Sequence, residues 1–155
     1  DEATFTASHV VHDPATNKAA IIDSVLDFDQ ASGRTSHASA DAIIAYVREA
    51  NLQVEWQIET HAHADHLSAA PYLMAALGGQ LVIGRAITTV QQVFGTLFNE
   101  DDRFRRDGSQ FDRLVDDGER LKLGNIDIPV LHTPGHTPAC MSWQALRSAC
   151  SGDSW

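Results

Sequence analysis

Val54-Glu55-Trp56-Gln57-Ile58-Glu59-Thr60 alternates apolar and polar residues, and a period of two predicts a strand with one buried face. Upstream, Phe5 to His12 and Ala19 to Asp23 read as two strands joined by a turn at Asp13-Pro14-Ala15-Thr16-Asn17. The polar stretch from Asp27 to Ser36, with Gly33, reads as a loop. Ser39 to Ala50 places Ile43, Ile44 and Val47 on one side of a helix. Ser68 is set to cap a second helix that ends at Leu77, before Gly78-Gly79, with Pro71 in the first turn where its missing N–H costs little. Gln80 to Ile83 reads as a short strand, Ala86 to Phe94 as a helix whose extension to Phe98 stays open, and the charged Asn99 to Asp112 as a surface loop. Glu119 to Leu123 and Ile126 to Leu131 form a hairpin around Gly124-Asn125. Strands and helices alternating in this way predict an α/β protein.

The strand 54–60 runs directly into His61-Ala62-His63-Ala64-Asp65-His66, three histidines and one aspartate within six positions. Imidazole nitrogens and carboxylate oxygens suit borderline divalent metals, and the end of a strand in an open sheet is where such folds carry their chemistry. A second group, His132-Thr133-Pro134-Gly135-His136-Thr137-Pro138, follows the strand-like 126–131, and its prolines and glycine make a rigid mount for His136. Five of the eight histidines lie in these two segments, a spacing that chance grouping does not explain. The sequence therefore predicts a metal site. His9, His12 and His37 lie outside both segments and read as ordinary surface or packing residues, and Cys140 as a small buried one.

The run His-Ala-His-Ala-Asp-His, with the later Thr-Pro-Gly-His-Thr, resembles the metallo-β-lactamase superfamily. Residues 1–6, 20–25, 59–70 and 132–140 resemble more narrowly the bacterial persulfide dioxygenases, a branch also labelled β-lactamase-hydrolase-like. The resemblance runs from residue 1 to about residue 142 and implies an αββα sandwich, of which the chain would supply the N-terminal part and an incomplete second half. It implies a single domain over 1–155, truncated, with a divergent tail from 143 to 155. In that tail Gly152-Asp153-Ser154 falls where the family places a metal-binding Gly-Asp pair.

The resemblance implies one Fe(II) per chain held by His61, His136 and Asp153, with positions open for a persulfide sulfur and O₂. His63, Asp65 and His66 would then orient ligands and hold water, and Asp65 is also a candidate proton acceptor. Glutathione persulfide would be oxidised to sulfite and glutathione. The alternative is a zinc hydrolase of the glyoxalase II type acting on glutathione thioesters, with one or two Zn(II). His61, His63 and His136 would then serve one metal, Asp65 and His66 the other, and Asp153 would bridge them. A third reading is a metal-binding remnant without turnover.

Charge narrows the partners. A net charge of −10 and a pI near 5.0 exclude a nucleic-acid surface, which must be basic, and disfavour an anionic membrane. No apolar run is long enough to span a bilayer, two cysteines make no disulfide framework, and the expected setting is a bacterial cytoplasm. Half a sandwich would also leave a sheet face open, which a second copy of the chain could cover.

Overall fold

The computed structural model describes residues 4–63, 66–101, 103–145 and 148–151. Its largest sheet has five strands in the order β1 (His9–Asp13), β2 (Lys18–Ile22), β5 (Gln53–Ile58), β7 (Gln80–Gly84) and β8 (Arg113–Val115). β1 runs antiparallel to β2, and the other neighbours are parallel. A second sheet orders β12 (Ser148–Ser151), β11 (Met141–Ala145), β10 (Ile126–His132) and β9 (Arg120–Leu123), all antiparallel. A small third sheet joins β4 (Arg34–Ser36), β3 (Val25–Asp29) and β6 (Leu67–Ser68). Three helices complete the described residues: α1 (Ala38–Glu49), α2 (Ala70–Leu77) and α3 (Ile87–Leu97).

Side-chain parity sets the layers. Ala20, Ile22, Ile58 and Val82 of the first sheet meet Leu121, Leu123, Ile128, Val130, Met141 and Trp143 of the second in one buried core. Ile21 points the other way, into Ala40, Ile44 and Val47 of α1 and Leu73 of α2. The result is helix on sheet on sheet, each apolar face buried against the next. The outer face of the second sheet carries Arg120, Lys122 and Asp127, with Lys122 and Asp127 paired at 2.9 Å. Polar side chains thus occupy much of the face that was expected to lie bare.

β5 departs from simple alternation. Ala19 pairs with Val54 but Ala20 with Trp56, so Glu55 is an extra residue, a bulge in the parallel ladder. Val54 consequently packs with the helices, while Trp56 and Ile58 face the second sheet. Gln57 is turned toward the helices, where its Nε2 donates to Gly78 O at 3.3 Å.

Several expectations change, and β1 begins only at His9, with Phe5 in a turn at φ +58°. The loop over 27–36 is a hairpin: Gly33 N donates to Asp29 O at 2.8 Å with Gly33 at φ +65°, and Asp29 accepts from Ala31 N and Ser32 Oγ. Its outer strand Arg34–Ser36 is wholly exposed and so has no apolar period to betray it. Ser68 is not the cap of α2; Ala69 is, and Ser68 sits in β6, accepting from Ala70 N at 3.1 Å. β8 was not expected, because three residues are too few for a period to register.

The two sheets come closest at Gly84. A Cβ there would lie 2.5 Å from Met141 Cγ and 3.3 Å from Ala139 O. Gly84→Ala is expected to force Met141 back, costing about 1–3 kcal/mol as overpacking does, read as a lower urea midpoint.

Candidate metal centre

The centre forms at the C-terminal ends of β2 and β5. Asp23 N donates to Ile58 O at 2.9 Å, and Glu59 N donates to Val82 O at 3.0 Å, so the parallel ladder continues one step beyond the strands. This holds Asp23 and Thr60 side by side. Asp23 adopts φ +51°, a left-handed conformation that aspartate tolerates better than most residues. Buried Asp23 accepts from Thr60 N at 2.7 Å, from Thr60 Oγ1 at 2.8 Å and from His63 Nε2 at 3.1 Å.

These bonds decide where the protons lie. Thr60 spends its single hydroxyl proton on Asp23, so its Oγ1 must accept from His61 Nδ1, 2.9 Å away. His61 therefore carries its proton on Nδ1, and Nε2 holds the lone pair a metal would use. His63 Nε2 donates to the Asp23 carboxylate, which leaves Nδ1 as the atom that would face a metal or water. His66 Nδ1 meets Thr6 Oγ1 at 3.2 Å. Backing oxygens of this kind orient ligands and set their tautomers.

The predicted histidines converge. Ring centroids of His61 and His63 lie 4.0 Å apart, His63 and His66 4.2 Å, and His61 and His136 4.9 Å with planes at 82°. His136 arrives on the turn between β10 and β11, which Thr133 N to Cys140 O (3.0 Å) and Thr137 N to Cys140 Sγ (3.1 Å) hold closed. Met141 N donates to Thr60 O at 2.9 Å, joining that turn to the other sheet beside His61. His132 stays on the turn, donating from Nε2 to Pro138 O at 2.8 Å. Asp65 and Asp153 lie outside the described residues. Four imidazoles gathered from two sheets, three of them backed by oxygen, form a donor set that fits a divalent transition metal.

Two acidic residues of the centre, Asp23 and Glu59, escaped the sequence reading as site residues. Glu59 Oε1 accepts from Ser68 Oγ, so the two ends of the histidine loop are clasped together. Its Oε2 lies 3.6 Å from His63 Nε2 and has no hydrogen-bond partner among the described residues. Burial, then the charge of Asp23, push the Glu59 carboxyl up to about 7. One ligand atom from each of Asp23, Glu59 and His63 lies within 4.8 Å of the others. The available signal was position: each is an acidic residue directly after the last residue of a strand, Asp23 after the apolar β2 and Glu59 after the alternating β5.

Comparison with known proteins agrees with this geometry. The chain is 53% identical over 154 residues to a probable metallo-hydrolase of Burkholderia pseudomallei, covering 99% of this chain and 52% of that protein. It is 47% identical over 139 residues to glyoxylase B2 of Dictyostelium discoideum, covering 89% and 48%. Human mitochondrial persulfide dioxygenase ETHE1 is 27% identical over 144 residues, covering 92% and 44%. The chain thus spans about half the length of the curated relatives it matches. The crystal structure of ETHE1 from Myxococcus xanthus shares the fold, with a TM-score of 0.68 at 24% identity over 94% of this chain and 51% of that one. No helix among the described residues is long and apolar enough to cross a membrane. With the match of residues 2–154 to the Metallo-beta-lactamase superfamily, and with the superfamily's histidines gathered at one point, the chain belongs to that superfamily.

Proposed function

We propose that the chain carries the iron-binding core of a persulfide dioxygenase acting on glutathione persulfide. The observation that supports it is the nearly perpendicular approach of His61 and His136, with the His61 proton fixed on Nδ1. Asp153 would be the third ligand, completing two histidines and one carboxylate. Fe(II), when bound by such a set, supplies adjacent open positions for a persulfide sulfur and O₂. His63, Asp65 and His66 would line the opposite side, hold water and take up protons, Asp65 being the candidate acceptor. Glutathione persulfide, O₂ and water give glutathione and sulfite with release of two protons, so the chain needs no further oxidant. The setting proposed is the cytoplasm of a bacterium.

A second reading is favoured by the glyoxylase relative and by His63 and His66 standing in the same cluster as His61. There the same side chains would hold one or two Zn(II) and the substrate would be a glutathione thioester. Anaerobic loading with Fe(II), and separately with Zn(II), tells them apart. The dioxygenase reading expects close to one iron per chain, at least tenfold weaker retention in His136→Ala, and oxygen uptake with glutathione persulfide. Hydrolysis of S-lactoylglutathione by the zinc form, with no oxygen uptake by the iron form, would replace it with the hydrolase.

A further inference from the structure

The β3–β4 hairpin stands beside the metal centre because β3 pairs with β6, the strand that leaves the histidine loop. Val25 lies opposite Ser68 and Leu26 opposite Leu67, so Asp27 and His66 are the next residues along the two strands. The hairpin walls a groove of about 610 Å³, with Thr4, Asp27, Asp29 and Arg34 among its lining residues, a volume suited to a small molecule. A second link runs through hydroxyls. Thr4 Oγ1 donates to Thr6 Oγ1 at 3.0 Å, and Thr6 Oγ1 meets His66 Nδ1 at 3.2 Å. The groove therefore adjoins the centre.

Three charged side chains line it. Asp27 is spent on the start of α1, accepting from Ser39 N at 2.9 Å and from Ser39 Oγ. Asp29 accepts from Ala31 N at 3.0 Å and from Ser32 Oγ at 2.6 Å, one bond to each oxygen, so each oxygen can accept once more. Among the described residues the Arg34 guanidinium has neither a hydrogen-bond nor an ion-pair partner. Asp29 and Arg34 face each other across the ladder, and residues so paired project from the same side of a hairpin. An anion and a cation thus stand side by side without being spent on each other. Their complement is an α-amino acid, which carries an ammonium and a carboxylate on one carbon.

We propose that this groove receives the γ-glutamyl head of glutathione, with Arg34 gripping its α-carboxylate and Asp29 accepting from its α-ammonium. The inference rests on the glutathione reading above, which the dioxygenase and the hydrolase share, and supplies the residues that would hold the carrier. Arginine's planar fork takes a carboxylate through two parallel bonds. The glycyl end of glutathione offers a carboxylate but no ammonium, and beside Asp29 it would meet a like charge. Arg34 and Asp29 are specificity-determining residues, since they touch the carrier and not the reacting atoms.

The test is equilibrium binding, which does not depend on turnover. Three probes are titrated into the zinc-loaded chain, with calorimetry and amide NMR shifts as readout. They are S-methylglutathione, its analogue with glutaryl in place of γ-glutamyl, which lacks only the ammonium, and N-acetyl-S-methylcysteinylglycine, which lacks the head. S-Methylglutathione is expected to bind tightest, to shift residues 27–36, and to weaken about tenfold in Arg34→Ala, as loss of a charge-assisted bond implies. Asp29→Asn, which keeps a turn-forming side chain, should weaken S-methylglutathione but not the glutaryl analogue. Both residues are exposed, so zinc content and the urea midpoint should hold in each variant. Saturable binding of S-methylglutathione that ignores Arg34→Ala would overturn the proposal and leave the glutathione reading standing. So would equally tight binding of N-acetyl-S-methylcysteinylglycine. No saturable binding of S-methylglutathione would remove the glutathione reading and the groove's role together.

Discussion

Asp23→Ala is expected to lose about 3–5 kcal/mol of folding stability and most of the chain's metal affinity. Asp23 is buried and accepts three hydrogen bonds, two from Thr60 and one from His63. Its removal orphans the Thr60 amide in a dry site, and an unpaired buried donor costs far more than an average bond contributes. Alanine also meets the φ of +51° with no compensating side-chain bond. The second consequence is chemical. Without Asp23 the Thr60 hydroxyl proton can turn toward His61 Nδ1, shifting the imidazole proton to Nε2, where a metal must bind. Loss of such a backing group commonly weakens metal affinity 10–100-fold. Asp23→Asn, which keeps the shape and tolerates the backbone, should cost about 1–3 kcal/mol because its amide presents a donor where Thr60 also donates. Urea unfolding of the chelator-treated chain and competitive zinc titration measure both effects. An Ala variant with unchanged midpoint and zinc affinity would refute the role.

Glu59→Gln is expected to stabilise the metal-free chain above pH 7 and to leave it little changed below pH 4.5. The folded-state carboxyl titrates near 7, above its ordinary 4.5, because burial and the neighbouring Asp23 charge oppose ionisation. Between those two values the folded chain holds a proton that the unfolded chain has released. Stability from this group is therefore full below 4.5, falls as pH rises, and levels off above 7. The span corresponds to a cost on the order of 3 kcal/mol at neutral pH, and glutamine removes it while still accepting from Ser68 Oγ. Midpoints measured from pH 4 to 8 should slope downward in the parent and run flatter in the variant. Parallel profiles would mean that Glu59 does not ionise across this window.

The sequence was most legible where a regular period or a dense motif spoke. The helices over 38–49 and 70–77, the hairpin around Gly124-Asn125, and the convergence of His61, His63, His66 and His136 were all readable from spacing. What escaped depended on contacts between distant segments. Asp23 looks like the polar end of a strand until Thr60 and His63 are placed beside it. Ser68 sits two residues before a helix and invites assignment as its cap, yet its hydroxyl is given to Glu59. The hairpin β3–β4 is mostly solvated toward its turn, so no apolar rhythm marks it.

The bulge at Glu55 governs more than its own neighbourhood. In a strand, facing is a binary phase, and one inserted residue inverts it for everything downstream until another irregularity restores it. Here the inversion falls after Val54 and before the histidine loop. Every side chain from Trp56 onward, including the residue that hands its hydroxyl proton to Asp23, owes its facing to that one supernumerary position. The orientation of the metal-binding loop is thus written several residues upstream of the first histidine. A transplant of residues 59–66 into another parallel strand would carry the ligands but not the phase that aims them.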